Sequence, residues 1–166
     1  MAEQKQWEGT VSVKLPNSTA DQIWPLYVDF CNLHKWLSKI DRMCQHVEGS
    51  PDPAQPGCIR YVSSPGTQFP DGTEGPRVWA SEKLLTIDHT ERCLSYEITE
   101  SNMGFNNYVA KIKVLPGDED NQSGCLIEWT YVTDPVDGMA IEDLVSLLSS
   151  TLRTMAKRME EALHGC

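Results

Sequence analysis

A long apolar stripe near the C-terminus constrains the fold of this chain more than any other feature. Between Gly138 and Leu163 most apolar residues follow one another at steps of three or four positions, which traces one face of an α-helix. They are Ile141, Leu144, Val145, Leu148, Leu152, Met155, Met159 and Leu163. Asp137 precedes the stripe as a candidate N-cap. The spacing predicts a helix about 38 Å long, which must bury its apolar face against the rest of the chain.

Most of the chain upstream of this helix has the period-two alternation of β-strands. The predicted strands are Trp7 to Leu15, Met43 to Glu48, Cys58 to Ser63, Val78 to Asp88, Cys93 to Glu100, Asn106 to Leu115 and Gly124 to Thr133. Pro, Gly, Asn and Asp fill the connectors between the later strands, as they do in turns. The sequence therefore predicts an α+β fold in which a seven-stranded antiparallel sheet wraps around the long C-terminal helix.

Two short helices are predicted between the first and second strands. The segment from Asn17 to Thr19 offers an N-cap, and Asp21 follows Ser18 by three residues in the manner of a capping box. Pro25 removes a backbone hydrogen bond, so the first helix is expected to be bent or to begin late. The second helix is expected between Asp29 and Leu37.

Composition and charge exclude several classes of function. A chain of 166 residues is long enough for a sizeable core, and we expect one domain spanning residues 1–166. The formal net charge of −10 disfavours binding to nucleic acid or to anionic membranes, because both are polyanions. The N-terminus has no apolar signal segment, and no apolar run is long enough to span a membrane. We therefore expect a cytoplasmic protein without membrane insertion, and a monomer.

The cysteines and histidines do not predict a metal site. The six cysteines are widely separated, with no CxxC motif, and the four histidines lack the spacing of metal ligands. Reduced thiols are expected in a chain without an export signal.

Alternation also sorts the strand residues by face, and one face carries an anomaly. Arg60 shares a face with the apolar Cys58 and Val62, and Glu82 shares one with Ala80 and Leu84. The equivalent faces of the later strands carry the aromatic residues Tyr96, Tyr108, Trp129 and Tyr131. If the apolar faces point inward, one arginine and one glutamate point inward among aromatic side chains.

Three interpretations of this charged pair are open. The two side chains lie near a strand end and pair in water, or they form a buried ion pair with a structural role, which adds little net stability. Alternatively, they face an aromatic cavity, where such a pair can orient a polar ligand atom and move a proton.

Several short motifs together resemble the START-like helix-grip superfamily, which includes birch-pollen-allergen-like proteins, polyketide cyclases and abscisic acid receptors. Within it, the chain is most similar to the lachrymatory factor synthase-like branch of plant proteins. The motifs are Leu15-Pro16-Asn17, Asn32-Leu33-His34-Lys35, Val47-Glu48-Gly49, Gly57-Cys58-Ile59-Arg60-Tyr61-Val62, Trp79-Ala80-Ser81-Glu82-Lys83-Leu84 and Gly138-Met139. The resemblance implies a helix-grip domain without a cofactor that holds a small hydrophobic ligand between sheet and helix.

The resemblance also implies roles for particular residues. In the synthase branch, an arginine and a glutamate at the positions of Arg60 and Glu82 isomerise a small alkenyl sulfenic acid to a thial S-oxide. Arg60 would hold the sulfenate oxygen and Glu82 would relay the proton. The ligand-binding positions that match are Tyr96, Phe105, Tyr108, Trp129, Val78 and Thr151.

The chain departs from that branch at three of these positions. Phe105 stands where the family has a tyrosine, Val78 where the synthase has a phenylalanine, and Thr151 where it has a tryptophan. The gate and latch loops of abscisic acid receptors do not match. We therefore expect binding or transport of a small hydrophobic ligand, such as a plant secondary metabolite or a lipid-like molecule. The alternatives are a cofactor-free isomerase or cyclase, and an interaction protein without a cavity ligand.

Overall fold

The computed structural model describes residues 6–30, 45–46, 56–64, 70–73, 75, 78–117 and 124–164. The strands and helices are β1 (Trp7–Leu15), α1 (Ala20–Val28), β2 (Gln45–His46), β3 (Ile59–Ser64), β4 (Val78–Asp88), β5 (Cys93–Ser101), β6 (Val109–Pro116), β7 (Cys125–Thr133) and α2 (Ile141–His164). The predicted α+β architecture, an open antiparallel sheet with a long C-terminal helix, is confirmed.

The strands form one antiparallel sheet in the order β1-β7-β6-β5-β4-β3-β2. Six of them have six residues or more. The strand predicted from Met43 to Glu48 is represented, within the described residues, by the two-residue β2 alone. The extended sheet therefore consists of six strands, with β2 as a short pairing at its edge.

The inner face of the sheet is the apolar face that alternation predicts. Along β7 the inward residues are buried and alternate with more exposed ones, and β4 follows the same rule from Ala80 to Leu84. The core lies between this inner face, α1 and α2, and none of the described helices is both long and apolar enough to cross a membrane.

Helix α1 begins one residue later than the predicted capping box. The N-cap is Thr19, whose side chain accepts a hydrogen bond from the Gln22 backbone N–H while the Gln22 side chain accepts one from Thr19. Ser18 is instead buried and donates its hydroxyl hydrogen bond to Glu160 on α2. The helix begins at Ala20 with Pro25 inside it, so of the two outcomes expected, a bend or a late start, the late start does not occur. Most of the second short helix, predicted for residues 29–37, lies outside the described residues.

Helix α2 begins at Ile141, the first residue of the apolar stripe, and therefore later than an N-cap at Asp137 would place it. Gly138 has a φ of +80°, which belongs to a turn, so Asp137 is not the N-cap. The Ala140 backbone N–H instead donates to Asp143 Oδ2 at 3.0 Å, which caps the first turn. The apolar stripe is otherwise confirmed along the helix, except that Val145 and Leu163 are exposed.

Candidate functional site

Arg60 and Glu82 lie directly opposite each other on neighbouring antiparallel strands. The register of β3 and β4 pairs these two residues, and both side chains point to the inner face. Arg60 Nε donates to Glu82 Oε1 at 2.7 Å, and the two residues are only 7% and 8% exposed. The interpretation as a pair in water is therefore wrong.

The position of Glu82 is set by an irregularity in the sheet. The pairing of β4 with β5 shifts register between Ser81 and Glu82, and again between Leu84 and Thr86. Such irregularities bend a strand and re-aim its side chains, and they are frequent next to functional sites.

The Arg60 guanidinium is held on several sides. Its Nη1 donates to the backbone oxygen of Phe30 at 3.0 Å, just after the end of α1. Its central carbon lies 3.8 Å from the centre of the Phe30 ring and 5.0 Å from that of Tyr96. Stacking on aromatic faces and a fixed set of hydrogen bonds leave the guanidinium little rotational freedom. Its orientation is therefore built before any ligand arrives.

The charged pair borders a cavity of about 730 Å³ between the sheet and α2. The cavity wall includes every site residue predicted from the sequence: Arg60, Glu82, Tyr96, Phe105, Tyr108, Trp129, Val78 and Thr151. Geometry thus brings these eight residues together, whereas their roles remain predictions. Of the described residues that line the cavity, Arg60 and Glu82 are the only two with formal charges.

Aromatic rings form a continuous wall beside the charged pair. Phe30 meets Tyr96 edge to face with ring centres 6.3 Å apart. Tyr96 and Tyr108 follow at 6.4 Å, and Tyr108 and Phe105 at 5.1 Å. These separations fall in the range in which aromatic pairs attract each other.

The tyrosine hydroxyls of the cavity stay protonated at neutral pH. Burial raises the pKa of Tyr108, and the negative charge of Glu82 raises it further. Burial, followed by Tyr108 and Glu82, likewise raises the pKa of Tyr96. Both phenols are therefore neutral and keep their hydroxyl protons.

Sequence reasoning missed several residues of the cavity wall. Tyr27 and Phe30 come from α1 and the residues that follow it, and Met155 and Leu148 come from α2. The helical spacing around Thr151 could have identified the last two, because residues three or four apart share a helix face. Tyr27 lies on the buried side of α1, and no sequence pattern separates a core residue from a residue that borders a cavity.

Two polar atoms of the cavity wall lack a hydrogen-bond partner in the described part of the chain. They are the Tyr27 hydroxyl oxygen and the Trp129 indole nitrogen. Burial raises the pKa of Tyr27, with a nearby Cys125 acting in the same direction and Arg60 in the opposite one. The described residues contain no group of three or more His, Cys, Asp or Glu side chains arranged to hold a metal ion.

The sequence profile described as "Polyketide cyclase / dehydrase and lipid transport" matches residues 6–162. The chain belongs to this family. The match spans all the strands and nearly all of α2, so the cavity and the charged pair lie within the family domain.

Solved structures with the same fold include members from plants and bacteria. Norcoclaurine synthase from Thalictrum flavum, a point mutant in complex with a transition-state analogue, is similar with a TM-score of 0.69 and 18% identity. The similarity covers 98% of this chain and 99% of that one. An uncharacterised protein from Bacillus thuringiensis has a TM-score of 0.66 and 23% identity, with coverage of 94% and 98%. The protein XoxI from Bacillus cereus has a TM-score of 0.65 and 24% identity, with coverage of 93% and 94%. At these identities the likeness establishes the fold alone.

Proposed function

We propose that this protein binds or transports a small, mainly apolar ligand that carries one acidic or strongly hydrogen-bond-accepting group. The observation that carries the proposal is an aromatic cavity of about 730 Å³ whose only described charges are one arginine and one glutamate. The volume falls within the range of pockets that hold small molecules. Membership in a family of cyclases and lipid-transport proteins agrees with such a ligand.

The charged pair gives the ligand its polar anchor. The Arg60 guanidinium borders the cavity, and it is held there by hydrogen bonds from Nε to Glu82 and from Nη1 to the Phe30 carbonyl. A purely structural ion pair of this kind contributes little stability, because both ions are desolvated. Placing it against a cavity rather than a packed core supports a role in ligand binding. The monomeric, cytoplasmic and single-domain character expected from the sequence remains a prediction.

A matched pair of fluorescent probes tests this proposal. 8-Anilinonaphthalene-1-sulfonate carries an anionic group, and N-phenyl-1-naphthylamine has the same apolar body without it. The double variant Arg60→Met with Glu82→Met replaces both charges by apolar side chains, which is often tolerated in a protein interior. We expect it to bind the sulfonate at least tenfold more weakly than the wild type and the neutral amine about equally.

A second pair of variants locates the probes. Thr151→Trp should narrow the cavity and weaken binding of both probes, because Thr151 lies in its wall. Ser146→Trp, on the exposed side of the same helix, is the control and should bind both normally. The proposal is wrong if neither probe binds the wild type at one per chain, or if Thr151→Trp leaves binding unchanged.

A second candidate function is a cofactor-free isomerase of the lachrymatory factor synthase type. It is favoured by the hydrogen bonding of Glu82, which engages Oε1 and, within the described residues, leaves Oε2 without a bond. In this reaction Arg60 holds the sulfenate oxygen of an alkenyl sulfenic acid. Glu82 accepts the O–H proton and returns it to the alkene carbon β to sulfur, which yields the thial S-oxide.

Glu82→Gln separates the two candidates, because it preserves shape and removes proton transfer. A catalyst should lose thial S-oxide formation from a sulfenic acid generated in the assay, while its affinity for the neutral naphthylamine stays within about twofold. A wild-type protein that forms no product above the uncatalysed background rejects the isomerase and leaves the carrier.

A further inference from the structure

Trp129 lines the cavity with a buried hydrogen-bond donor that has no acceptor in the described part of the chain. The residue is 7% exposed and lines the cavity. Its indole nitrogen has no hydrogen-bond partner in the described part of the chain, although it lies close enough to the Tyr108 hydroxyl to lower the pKa of that tyrosine. Leaving a buried donor unpaired costs about 1–3 kcal/mol, so a ligand atom that accepts from it gains affinity.

This donor is separate from the charged pair. Arg60 is on β3 and Glu82 on β4, whereas Trp129 is on β7, with β6 and β5 between. The other unpaired polar atom, the Tyr27 hydroxyl, interacts electrostatically with Arg60 and so belongs to the charged end. Trp129 therefore marks a second polar position in the cavity.

The surroundings of Trp129 determine which chemical group fits there. An indole N–H is a donor only, so its ligand partner must be an acceptor. Arg60 is the only cation among the described cavity-lining residues, and it lies on β3 whereas Trp129 lies on β7. A second anionic group beside Trp129 would be buried without a counter-charge, which is costly. The fitting group is a neutral acceptor, such as a carbonyl or ether oxygen.

We propose that the ligand is bifunctional. It places an acidic group at Arg60, and a neutral oxygen elsewhere on its apolar body accepts a hydrogen bond from Trp129 Nε1. This inference rests on the proposed ligand-binding function and narrows its ligand class. It disfavours plain fatty acids and hydrocarbons, which leave the indole N–H unpaired, and it favours oxygenated aromatic or terpenoid acids.

Two naphthoic acids of matched shape test the second contact. The compounds are 6-acetyl-2-naphthoate and 6-isopropenyl-2-naphthoate. At the end opposite the carboxylate, the acetyl compound has a carbonyl oxygen where the isopropenyl compound has a methylene group. By isothermal titration calorimetry we expect the wild type to bind the acetyl compound about fivefold more tightly, as one net hydrogen bond implies. Trp129→Phe keeps an aromatic ring and removes the N–H, and it should abolish this preference, so that the variant binds the two compounds with equal affinity.

Trp79→Phe is the matched control, because Trp79 also lines the cavity and stacks on Tyr61. It should retain the fivefold preference. If the wild type binds both acids equally, and the double variant Arg60→Met with Glu82→Met loses this binding, the bifunctional ligand is wrong and the proposed function stands. A preference that survives in Trp129→Phe also overturns it. If neither acid binds, or if the double Met variant binds both normally, the proposed anchoring at Arg60 fails as well.

Nuclear magnetic resonance gives a second readout that does not depend on the stability of a variant. The chain has five tryptophans, so the ¹⁵N-labelled wild type gives five indole N–H signals. The acetyl compound should move the Trp129 proton signal downfield, and the isopropenyl compound should not. Equal shifts with both compounds contradict a hydrogen bond from Trp129 to the carbonyl oxygen.

Discussion

The two halves of the space between α2 and the sheet are differently filled. On one side α2 packs mainly on β1, and Leu15, Ile127 and Met159 are fully buried there without bordering the cavity. On the other side, β3 and β4 face the cavity with Arg60 and Glu82. We call these the filled half and the cavity half.

Polar groups behave differently in the two halves. In the filled half Ser18 is buried, and its hydroxyl lies 3.0 Å from Glu160 Oε2 and 3.2 Å from His164 Nε2. In the cavity half the Tyr27 hydroxyl and the Trp129 indole N–H are equally buried but have no partner in the described chain. Low solvent exposure alone therefore does not show that a residue is packed against other protein atoms on all sides. A satisfied polar group indicates a structural contact, and an unsatisfied one beside a cavity indicates a ligand contact.

The largest expected effect compares two methionines of α2, one in each half. Met159 is 0% exposed in the filled half, and Met155 is 4% exposed but borders the cavity. Met159→Ala should lower the free energy of unfolding by about 3–5 kcal/mol, because it opens a new cavity in a packed region. Met155→Ala enlarges an existing space and should cost about 1–2 kcal/mol. Urea denaturation of both variants measures the difference, and equal losses would mean that the two halves are packed alike.

Removing one partner of the charged pair should lower the free energy of unfolding by less than it would in a core that contains no water. Glu82→Ala removes the carboxylate that neutralises Arg60, and breaking a fully buried pair usually costs about 3–5 kcal/mol. Because the pair borders a cavity that water can enter, we expect a loss of about 2–3 kcal/mol in urea denaturation. Glu100→Ala, an exposed glutamate on β5, is the control and should change stability by less than about 0.5 kcal/mol. A loss above 5 kcal/mol for Glu82→Ala would mean that the cavity excludes water.

Alkaline pH should destabilise the protein partly through a thiol of the filled half. Burial, with a smaller contribution from Glu160, raises the pKa of Cys125 from 9.0 to about 11. The folded state keeps this proton while the unfolded chain releases it, so the stabilisation is complete below pH 9 and is lost as the pH approaches 11. Between pH 8 and 10 the wild type should therefore lose about 1 kcal/mol more than Cys125→Ala, since each pH unit corresponds to about 1.4 kcal/mol. Urea denaturation at each pH measures this, and Cys93→Ala controls for the loss of a thiol.

Some features of the two halves could be predicted from the sequence and others could not, and the difference has a physical reason. Strand alternation is local, so the inward positions of Arg60 and Glu82 could be read from their neighbours alone. The N-terminal cap of α2 could not, because the left-handed Gly138 and the hydrogen bond to Asp143 depend on turn geometry rather than on the apolar stripe. Whether Met155 borders packed atoms or open space depends on how far α2 stands from the sheet, which no local pattern encodes.

The smallest expected effect compares one hydroxyl from each half. Ser18→Ala removes a hydrogen bond to the Glu160 carboxylate and should cost about 1–2 kcal/mol. Tyr27→Phe removes a hydroxyl without a partner in the described chain, so the unliganded protein should lose nothing or gain up to about 0.5 kcal/mol. Thermal unfolding of the unliganded variants measures both. If Tyr27→Phe costs as much as Ser18→Ala, the Tyr27 hydroxyl is hydrogen-bonded in the free protein. The Tyr27 hydroxyl would then be satisfied like that of Ser18. Trp129 would be the only remaining unsatisfied polar group that distinguishes the cavity half from the filled half within the described residues.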